Sequence, residues 1–244
     1  MLSGKTRLVG LIGNPVSHSL SPRMQNAAFV ACKLDWAYVL LPVQAERLEA
    51  AVAGLVALGF AGANVTIPYK TAVAKLCDEA EGESVNTIVV EDGRLLGFNT
   101  DQEIVRGIAA TRVCLIGAGG AARGLLPALE GEVRIFSRSG EWPPDASGCD
   151  LVINATPIKN EVLVELRAEQ TVVDLPYHAD GRPTALVAAA REAGCDVVDG
   201  LEALLRQGVA SFERWTGLPA PADVMRAALA QRPSAATAAD TLAE

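Results

Sequence analysis

Apolar stretches with strand-like or helical spacing alternate along the first hundred residues. The apolar run 7–13 (RLVGLIG) predicts a buried strand, and Ser21-Pro22 predicts a helix with Ser21 as its N-cap that continues to about Lys33. Further strands are predicted at 36–41 and 63–67, further helices at 45–58 and 69–76, and a hairpin at 85–90 and 95–98. This alternation predicts a mostly parallel sheet with one antiparallel addition.

A second run of alternating elements begins near Arg112. Strands are predicted at 112–116, 133–137, 151–155, 171–175 and 196–198, and helices from Ala121 to Leu129 and at 184–193, 201–216 and 222–229. The residues from Gln231 onward are mainly Ala, Ser and Thr, and we expect a frayed tail there. The whole pattern predicts an α/β protein.

Composition narrows the class of protein. Half of the 244 residues are apolar and 20% are charged, which is typical of one large or two modest packed domains. The net charge of -8 argues against duplex nucleic acid or an anionic membrane surface as the main partner. A small anionic substrate stays open, because it needs only a local site.

The cysteines and the N-terminus indicate the compartment. Five widely spaced cysteines form no CxxC pair, which predicts free and mostly buried thiols. A structural zinc site is not expected, since His18 and His178 do not lie at ligand spacing from them. With neither a signal core at the start nor an apolar run of membrane-spanning length, we expect a cytoplasmic protein.

A glycine loop follows the strand at 112–116. Its residues are Gly117, Ala118, Gly119, Gly120 and Ala121. A strand that ends in such a loop and opens a helix is typical of dinucleotide binding, because the backbone can approach a pyrophosphate closely. The alternative is an ordinary strand-to-helix turn.

The end of the next strand indicates which dinucleotide would bind. An NAD site usually has an acidic residue there, whereas this chain has Ser137, Arg138 and Ser139. The planar guanidinium group of arginine is suited to the 2′-phosphate of NADP, so we favour NADP(H). The alternative is a solvated arginine at a strand end.

The segment 140–150 is short for a dinucleotide-binding fold. It contains Trp142-Pro143-Pro144 and leaves no room for the helix that usually precedes the next strand. We therefore expect an abbreviated adenine side, and weakened or lost cofactor binding stays open.

Polar residues cluster where the strands of the first half end, which is where ligands bind in open α/β sheets. The clusters are Ser17-His18-Ser19-Leu20-Ser21, Asn64-Val65-Thr66 with Lys70, Asn86-Thr87, and Asn99-Thr100-Asp101. They offer hydroxyl and amide groups for a polyhydroxylated ligand, and a lysine and a carboxylate for proton transfer.

An ordered series of motifs resembles the shikimate dehydrogenase family. The motifs are GNPVSHSLSP, GANVTIPYK, VNT, GFNTD, IGAGGAAR, INATP and GLEALLRQG. The resemblance implies two α/β domains: a substrate-binding catalytic domain (1–101 and 203–244), to which the last helices return, and a Rossmann-type NADP-binding domain (102–202). It implies reversible NADPH-dependent reduction of 3-dehydroshikimate to shikimate, in aromatic amino acid biosynthesis.

The resemblance also implies roles for four residues. Ser19 and Ser21 match a serine pair that binds the substrate carboxylate, while Lys70 and Asp101 match the catalytic lysine and its partner. Purely structural roles stay open for three of them. Ser21 could simply cap a helix, Lys70 could be a solvated helix residue, and Asp101 could lie in a capping box formed by Thr100 and Glu103.

Further site residues follow from the same resemblance. Asn86, Asn64 and Thr66 correspond to residues that contact the ring hydroxyls. Gln207 and Tyr177 correspond to substrate-binding residues, and Thr156 to a residue beside the nicotinamide. Their structural alternatives are an exposed position on an amphipathic helix for Gln207 and a turn tyrosine for Tyr177. We interpret His18 as supporting structure.

Two segments depart from the family pattern. The segment 77–84 is shorter than usual, and Ile158-Lys159-Asn160 replaces a glycine-rich continuation after Pro157. Two other functions stay open: a quinate/shikimate or aminoshikimate dehydrogenase that uses NAD, and a non-catalytic shikimate-binding homologue. We expect a monomer or homodimer without a metal ion.

Overall fold

The computed structural model describes residues 2–231. Its strands are β1 (Arg7–Gly13), β2 (Trp36–Pro42), β3 (Gly62–Val65), β4 (Glu79–Ala80), β5 (Thr87–Glu91), β6 (Arg94–Phe98), β7 (Arg112–Ile116), β8 (Glu132–Phe136), β9 (Leu151–Asn154), β10 (Thr171–Asp174) and β11 (Asp196–Val198). Its α-helices are α1 (Ser21–Ala31), α2 (Leu48–Ala57), α3 (Lys70–Ala74), α4 (Gly120–Leu125), α5 (Ala185–Ala193), α6 (Gly200–Thr216) and α7 (Ala222–Ala230). Short 3₁₀ turns span Ala45–Arg47, Thr100–Ile104 and Leu126–Ala128.

The first sheet has the order β2-β1-β3-β5-β6-β4. Strand β1 pairs in parallel with β2 and β3, and the β5–β6 hairpin joins β3 in antiparallel orientation. The predicted parallel sheet with an antiparallel addition is therefore confirmed. Strand β4, which has two residues and pairs with β6, is not among the predicted strands.

Alternation along β1 distributes its side chains between two apolar cores. Val9 and Leu11 face a core shared with α1, α6 and α7, whereas Ile12 faces a core shared with α2 and α3. Successive residues of a strand point to opposite faces, so both faces of the first sheet are covered by helices. This burial leaves the carboxyl ends of the strands as the accessible edge.

The second sheet is entirely parallel, with the order β11-β10-β9-β7-β8. One face packs on α4 and the start of α6, and the other on α5 and irregular segments. Neither 137–150 nor 155–170 contains a helix. Ala146, Cys149 and Val164 from these segments fill the core in place of helices.

The last two helices return to the first sheet, as predicted. Phe212 and Met225 lie in the core on the α1 side of that sheet, and the Trp215 indole N–H donates to the Ile88 carbonyl (2.9 Å). Near the start of α6, Ala203 packs instead in the core of the second sheet. Helix α6 therefore connects the two α/β units.

Several helix boundaries differ from those predicted. Helix α3 ends at Ala74 rather than Leu76, because the Leu76 N–H donates to the Val73 carbonyl, three residues back, instead of four. The Asp78 N–H then donates to the Leu95 carbonyl in β6. Helix α4 ends at Leu125, and Pro127 lies in the 3₁₀ turn that follows. Proline lacks the N–H that would donate to the carbonyl four residues earlier, so the α-helical hydrogen bonds do not continue through Pro127.

The predicted Ser21 cap and the capping box considered as an alternative at Thr100 and Glu103 are both wrong. The N–H of Met24 donates to the Leu20 carbonyl, so Leu20 is the N-cap of α1 and Ser21 is already helical. At Thr100–Ile104 the N-cap is Asn99, whose side chain accepts from the Asp101 N–H. Glu103 pairs with Arg106 instead of reaching back to Thr100.

None of the helices within residues 2–231 combines the length and the apolar character needed to cross a membrane. Residues 232–244, which cover nearly all of the tail expected to fray, lie outside the described part of the chain.

Candidate active site

A cleft of about 520 Å³ opens at the carboxyl ends of strands from both sheets. Ligands bind in open α/β sheets at this edge. The predicted site residues that line it are Ser19, Ser21, Asn64, Thr66, Lys70, Asn86, Asp101, Ala121, Thr156, Tyr177 and Gln207. The structure therefore brings the predicted substrate and catalytic residues together around one cleft.

Lys70 and Asp101 form an ion pair in this cleft. The Lys70 Nζ to Asp101 Oδ2 distance is 2.5 Å, and the two residues are only 8% and 5% exposed. Lys70 is the first residue of α3, and Asp101 lies in the 3₁₀ turn after β6. The solvated position considered for Lys70 is therefore wrong, whereas Asp101 does lie at the start of a helical turn.

Asp101 has further hydrogen bonds that fix its carboxylate. Its Oδ1 accepts from Asn86 Nδ2 (2.8 Å), and the Asn86 Oδ1 accepts from the Thr100 N–H (2.7 Å). Among residues 2–231, Lys70 Nζ donates only to Asp101. An ammonium group has three N–H bonds, so two remain for a ligand in the cleft.

Buried hydroxyl and amide groups continue this network behind the ion pair. Asn64 Nδ2 donates to Thr87 and Ser211, both at 3.0 Å, and the Tyr38 hydroxyl donates to Asn64 Oδ1 (2.9 Å). Burial raises the pKa of Tyr38, so its hydroxyl remains a neutral donor. A satisfied buried network of this kind holds its members in one arrangement.

Two members of this network, Ser211 and Tyr38, are not among the predicted site residues. Ser211 is fully buried and lies four residues after Gln207, a spacing that places both on one face of α6. That spacing was a usable signal. The sequence contains no comparable signal for Tyr38, because an aromatic residue within a buried strand is most often part of the hydrophobic core.

Three hydroxyl groups meet at one end of the cleft. The Ser19 hydroxyl donates to that of Ser21 (3.2 Å), and the Leu20 N–H donates to the Tyr177 hydroxyl (3.3 Å). Burial raises the pKa of Tyr177, against weaker opposing effects of its hydrogen bonds. Tyr177 follows β10, so the second unit contacts the segment that carries both serines.

The glycine loop has the geometry that a dinucleotide site needs. Gly117 has φ of +118°, and a Cβ there would lie 3.0 Å from the Ala155 carbonyl oxygen, so only glycine fits. Gly119 is the N-cap of α4 and provides no capping side chain. Except for Ala121, the predicted cofactor residues 117–121 and 137–139 lie outside the cleft lining.

The end of β8 fits a 2′-phosphate. Arg138 is exposed, the Ser137 and Ser139 hydroxyl oxygens are 3.2 Å apart, and the Gly117 N–H donates to the Phe136 carbonyl (2.8 Å). The nearby carboxylate of Glu141 is paired with Arg134 (2.9 Å). Among residues 2–231, Arg138 forms no ion pair and lies over the Trp142 ring (5.9 Å to its centroid), near the glycine loop, and the residues fit NADP.

Comparisons with known proteins identify the family. Residues 11–88 match the shikimate dehydrogenase substrate binding domain, and residues 200–230 match the shikimate 5′-dehydrogenase C-terminal domain. The shikimate dehydrogenase (NADP(+)) of Rubrobacter xylanophilus is 41% identical, over 93% of this chain and 97% of that protein. This alignment spans 280 positions, more than the 244 residues of the chain, so the relative has segments that this chain lacks.

Solved structures agree with this assignment. A crystal structure of a shikimate dehydrogenase in complex with NADP+ superposes with a TM-score of 0.84 at 33% identity, over 94% of this chain and 96% of the other. The Thermus thermophilus shikimate 5-dehydrogenase in complex with NADP(H) and shikimate gives a TM-score of 0.78 at 29% identity, over 91% and 98% of the two chains. The chain belongs to the shikimate dehydrogenase family.

Proposed function

We propose that this chain is an NADP(H)-dependent shikimate dehydrogenase that interconverts 3-dehydroshikimate and shikimate in aromatic amino acid biosynthesis. The observation that carries the proposal is the buried Lys70–Asp101 pair, which opens into a cleft lined with hydroxyl and amide groups. The R. xylanophilus relative has this activity by name, and the T. thermophilus structure contains both shikimate and NADP(H). These names do not favour the alternative of a quinate/shikimate or aminoshikimate dehydrogenase that uses NAD.

Lys70 acts as the general acid when the ketone is reduced. The bound nicotinamide supplies the hydride. The ketone oxygen gains negative charge as the carbonyl carbon is reduced, and Lys70 Nζ donates a proton to it. In the reverse direction the neutral amine accepts the hydroxyl proton.

Asp101 is the partner that holds the ammonium group in position. Its Oδ2 accepts from Lys70 and its Oδ1 accepts from Asn86, so rotation of the carboxylate would break one of these bonds. The negative charge also stabilises the ammonium group in a buried site, where an unpaired charge would be strongly unfavourable.

The substrate carboxylate binds at the hydroxyl-rich end of the cleft. Ser19, Ser21 and Tyr177 offer O–H donors there, and the absence of a capping bond from Ser21 leaves its hydroxyl available. Asn64, Thr66, Asn86 and Gln207 line the remaining wall and bind the ring hydroxyls. Donors on two sides would orient the ring with its ketone toward Lys70.

Residues of the second unit would hold the cofactor. Gly117, Ala118, Gly119, Gly120 and Ala121 receive the pyrophosphate, while Ser137, Arg138 and Ser139 bind the 2′-phosphate. Thr156 lines the cleft and would lie beside the nicotinamide. On this assignment residues 102–202 form the NADP domain, and residues 1–101 with 203–244 form the substrate domain.

We also infer a cytoplasmic location for the enzyme. All five cysteines lie within residues 2–231 and none forms a disulfide, which is consistent with a reducing compartment.

The direct test is NADPH formation from shikimate and NADP+ at alkaline pH, where release of a proton favours oxidation. Parallel assays replace shikimate by quinate and NADP+ by NAD+. We expect the highest kcat/KM with shikimate and NADP+. A higher kcat/KM with quinate, or with NAD+, would contradict the proposal.

A second measurement separates the enzyme from a non-catalytic shikimate-binding homologue. NADPH fluorescence titration should show saturable binding to the full chain. Shikimate binding without NADPH binding would support the non-catalytic alternative, which the abbreviated segment 140–150 raises.

A further inference from the structure

Lys159 is a second lysine in the cleft, and the mechanism above does not use it. It lies on the segment after β9, where it contributes to the cleft lining while half-buried. Among residues 2–231, no carboxylate lies within ion-pair distance (4.0 Å) of its ammonium group. A lysine that is partly removed from water without a counterion favours an anionic ligand.

The backbone around Lys159 is held in place on both sides. Its carbonyl accepts from the first N–H of α5, at Ala185 (2.8 Å). The preceding residue, Ile158, donates its N–H to the Thr156 hydroxyl and accepts from the Asn154 side chain, both at 3.2 Å. The backbone of Lys159 is therefore held between the carboxyl end of β9 and the first residue of α5.

Lys159 and Tyr177 follow neighbouring strands of the second sheet. Strands β9 and β10 pair in parallel, with Asn154 beside Asp174, and the Asn154 side chain donates to Asp174 (2.7 Å). Tyr177 follows β10, and its hydroxyl accepts from the Leu20 N–H, between the two serines. The segment that carries Lys159 therefore leaves the sheet beside the segment that contacts the two serines, and both Lys159 and Tyr177 line the cleft.

The charges lining the cleft support the same ligand. Besides His18, the ionisable residues that line it are Lys70, Asp101, Lys159 and Tyr177. Lys70 and Asp101 neutralise each other, and the raised pKa of Tyr177 keeps it uncharged. Lys159 therefore leaves the cleft positive in a chain whose net charge is -8.

We propose that Lys159 is a specificity-determining residue that binds the substrate carboxylate together with Ser19, Ser21 and Tyr177. This inference rests on the proposed function and adds a charged group to a carboxylate site otherwise made of hydroxyl groups. A charge-assisted bond from an ammonium group is stronger than a neutral one and favours acids over their neutral analogues.

The test compares three variants of the full chain. Lys159→Gln removes the charge and keeps a polar side chain, and Lys159→Arg restores a charge. Lys5→Gln makes the same charge change at an exposed lysine outside the cleft. We expect Lys159→Gln to raise the KM for shikimate roughly tenfold with kcat within about twofold, as the loss of one partly solvated charged hydrogen bond would do. Lys159→Arg should recover most of the affinity, and Lys5→Gln should match the wild type.

A neutral ligand isolates the carboxylate contact. With shikimamide, in which an amide replaces the carboxylate, wild type and Lys159→Gln should have the same KM. An unchanged KM for shikimate in Lys159→Gln, or an equal rise for both ligands, would overturn the proposal. A higher dissociation constant for NADPH in Lys159→Gln, with an unchanged KM for shikimate, would also overturn it, because Lys159 would then bind the cofactor.

Equilibrium binding makes this test independent of turnover. Calorimetric titration of shikimate into the same variants should show a roughly tenfold higher dissociation constant for Lys159→Gln and little change for the other two variants. A wild-type chain that binds shikimate but does not oxidise it would reject the proposed function. An unchanged shikimate dissociation constant in Lys159→Gln would reject only the role of Lys159.

Discussion

A Cβ atom at Gly124 would lie 2.9 Å from Asp101 Oδ2, the oxygen that accepts from Lys70. Helix α4 is this close because the Gly124 carbonyl accepts from Asn99 Nδ2 (2.7 Å), next to the turn that carries Asp101. The helix that opens with the glycine loop therefore packs directly on the Lys70–Asp101 ion pair. The two α/β units meet at Lys70 and Asp101.

This contact predicts a strong effect of Gly124→Ala. The added methyl group should displace the Asp101 carboxylate and misalign Lys70, which would lower kcat by roughly tenfold to a hundredfold. Overpacking should also destabilise the fold by about 1–3 kcal/mol. Steady-state kinetics and thermal unfolding measure the two effects.

Gly54→Ala is the matched control for that substitution. Gly54 lies within α2, and a Cβ there would meet nothing within 4 Å. The control should leave kcat unchanged and stabilise the fold by about 0.5–1 kcal/mol, because alanine has the higher helix propensity. A Gly124→Ala variant with wild-type kcat would contradict the close contact.

Cofactor selectivity should depend on Arg138. Arg138→Asp replaces a guanidinium group by a carboxylate, which repels a 2′-phosphate and suits ribose hydroxyls. The KM for NADPH should rise by at least about a hundredfold, while that for NADH should change far less. Arg47→Asp makes the same change at an exposed residue before α2 and should alter neither value. Equal changes for both cofactors would remove Arg138 from the site.

Asp174 should make the stability of the fold pH-dependent. Burial is the largest effect and raises its pKa from 3.8 to about 6, against hydrogen bonds from Thr184 and Asn154 that lower it. The folded chain therefore binds this proton more tightly than the unfolded chain. Its contribution to stability is largest below pH 3.8 and is lost as the pH rises to about 6.

Asp174→Asn should remove this pH dependence. Relative to wild type, the variant should gain free energy of unfolding between about pH 4 and 6, by on the order of 2–3 kcal/mol, and the difference should then level off. Urea unfolding of both proteins across that range measures it. A difference that is constant with pH would show that Asp174 ionises normally in the folded state.

Much of the site could be predicted because its residues follow strands. Lys70 and Asp101 are far apart in sequence, but they follow β3 and β6, whose carboxyl ends lie at the same edge of one sheet with β5 between them. The segment 140–150 was predicted to lack a helix from its length alone, and it has none.

Residues whose environment depends on tertiary contacts could not be predicted in this way. Ser21 looked like a helix cap, but the first hydrogen bond of α1 runs to Leu20, which also contacts Tyr177 from the second unit. Ser211 joins the network only because α6 returns to the first sheet. Lys159 departs from the family pattern in sequence, and only the fold places it in the cleft.

The role of Lys70 is tested most directly by Lys70→Ala, with Lys75→Ala as the control at an exposed lysine outside the cleft. Loss of the general acid should lower kcat by roughly a hundredfold to ten-thousandfold and leave the NADPH dissociation constant within about twofold of wild type. Lys75→Ala should keep the wild-type rate. A Lys70→Ala enzyme that retains near-wild-type kcat would contradict the acid–base role on which the proposed function depends.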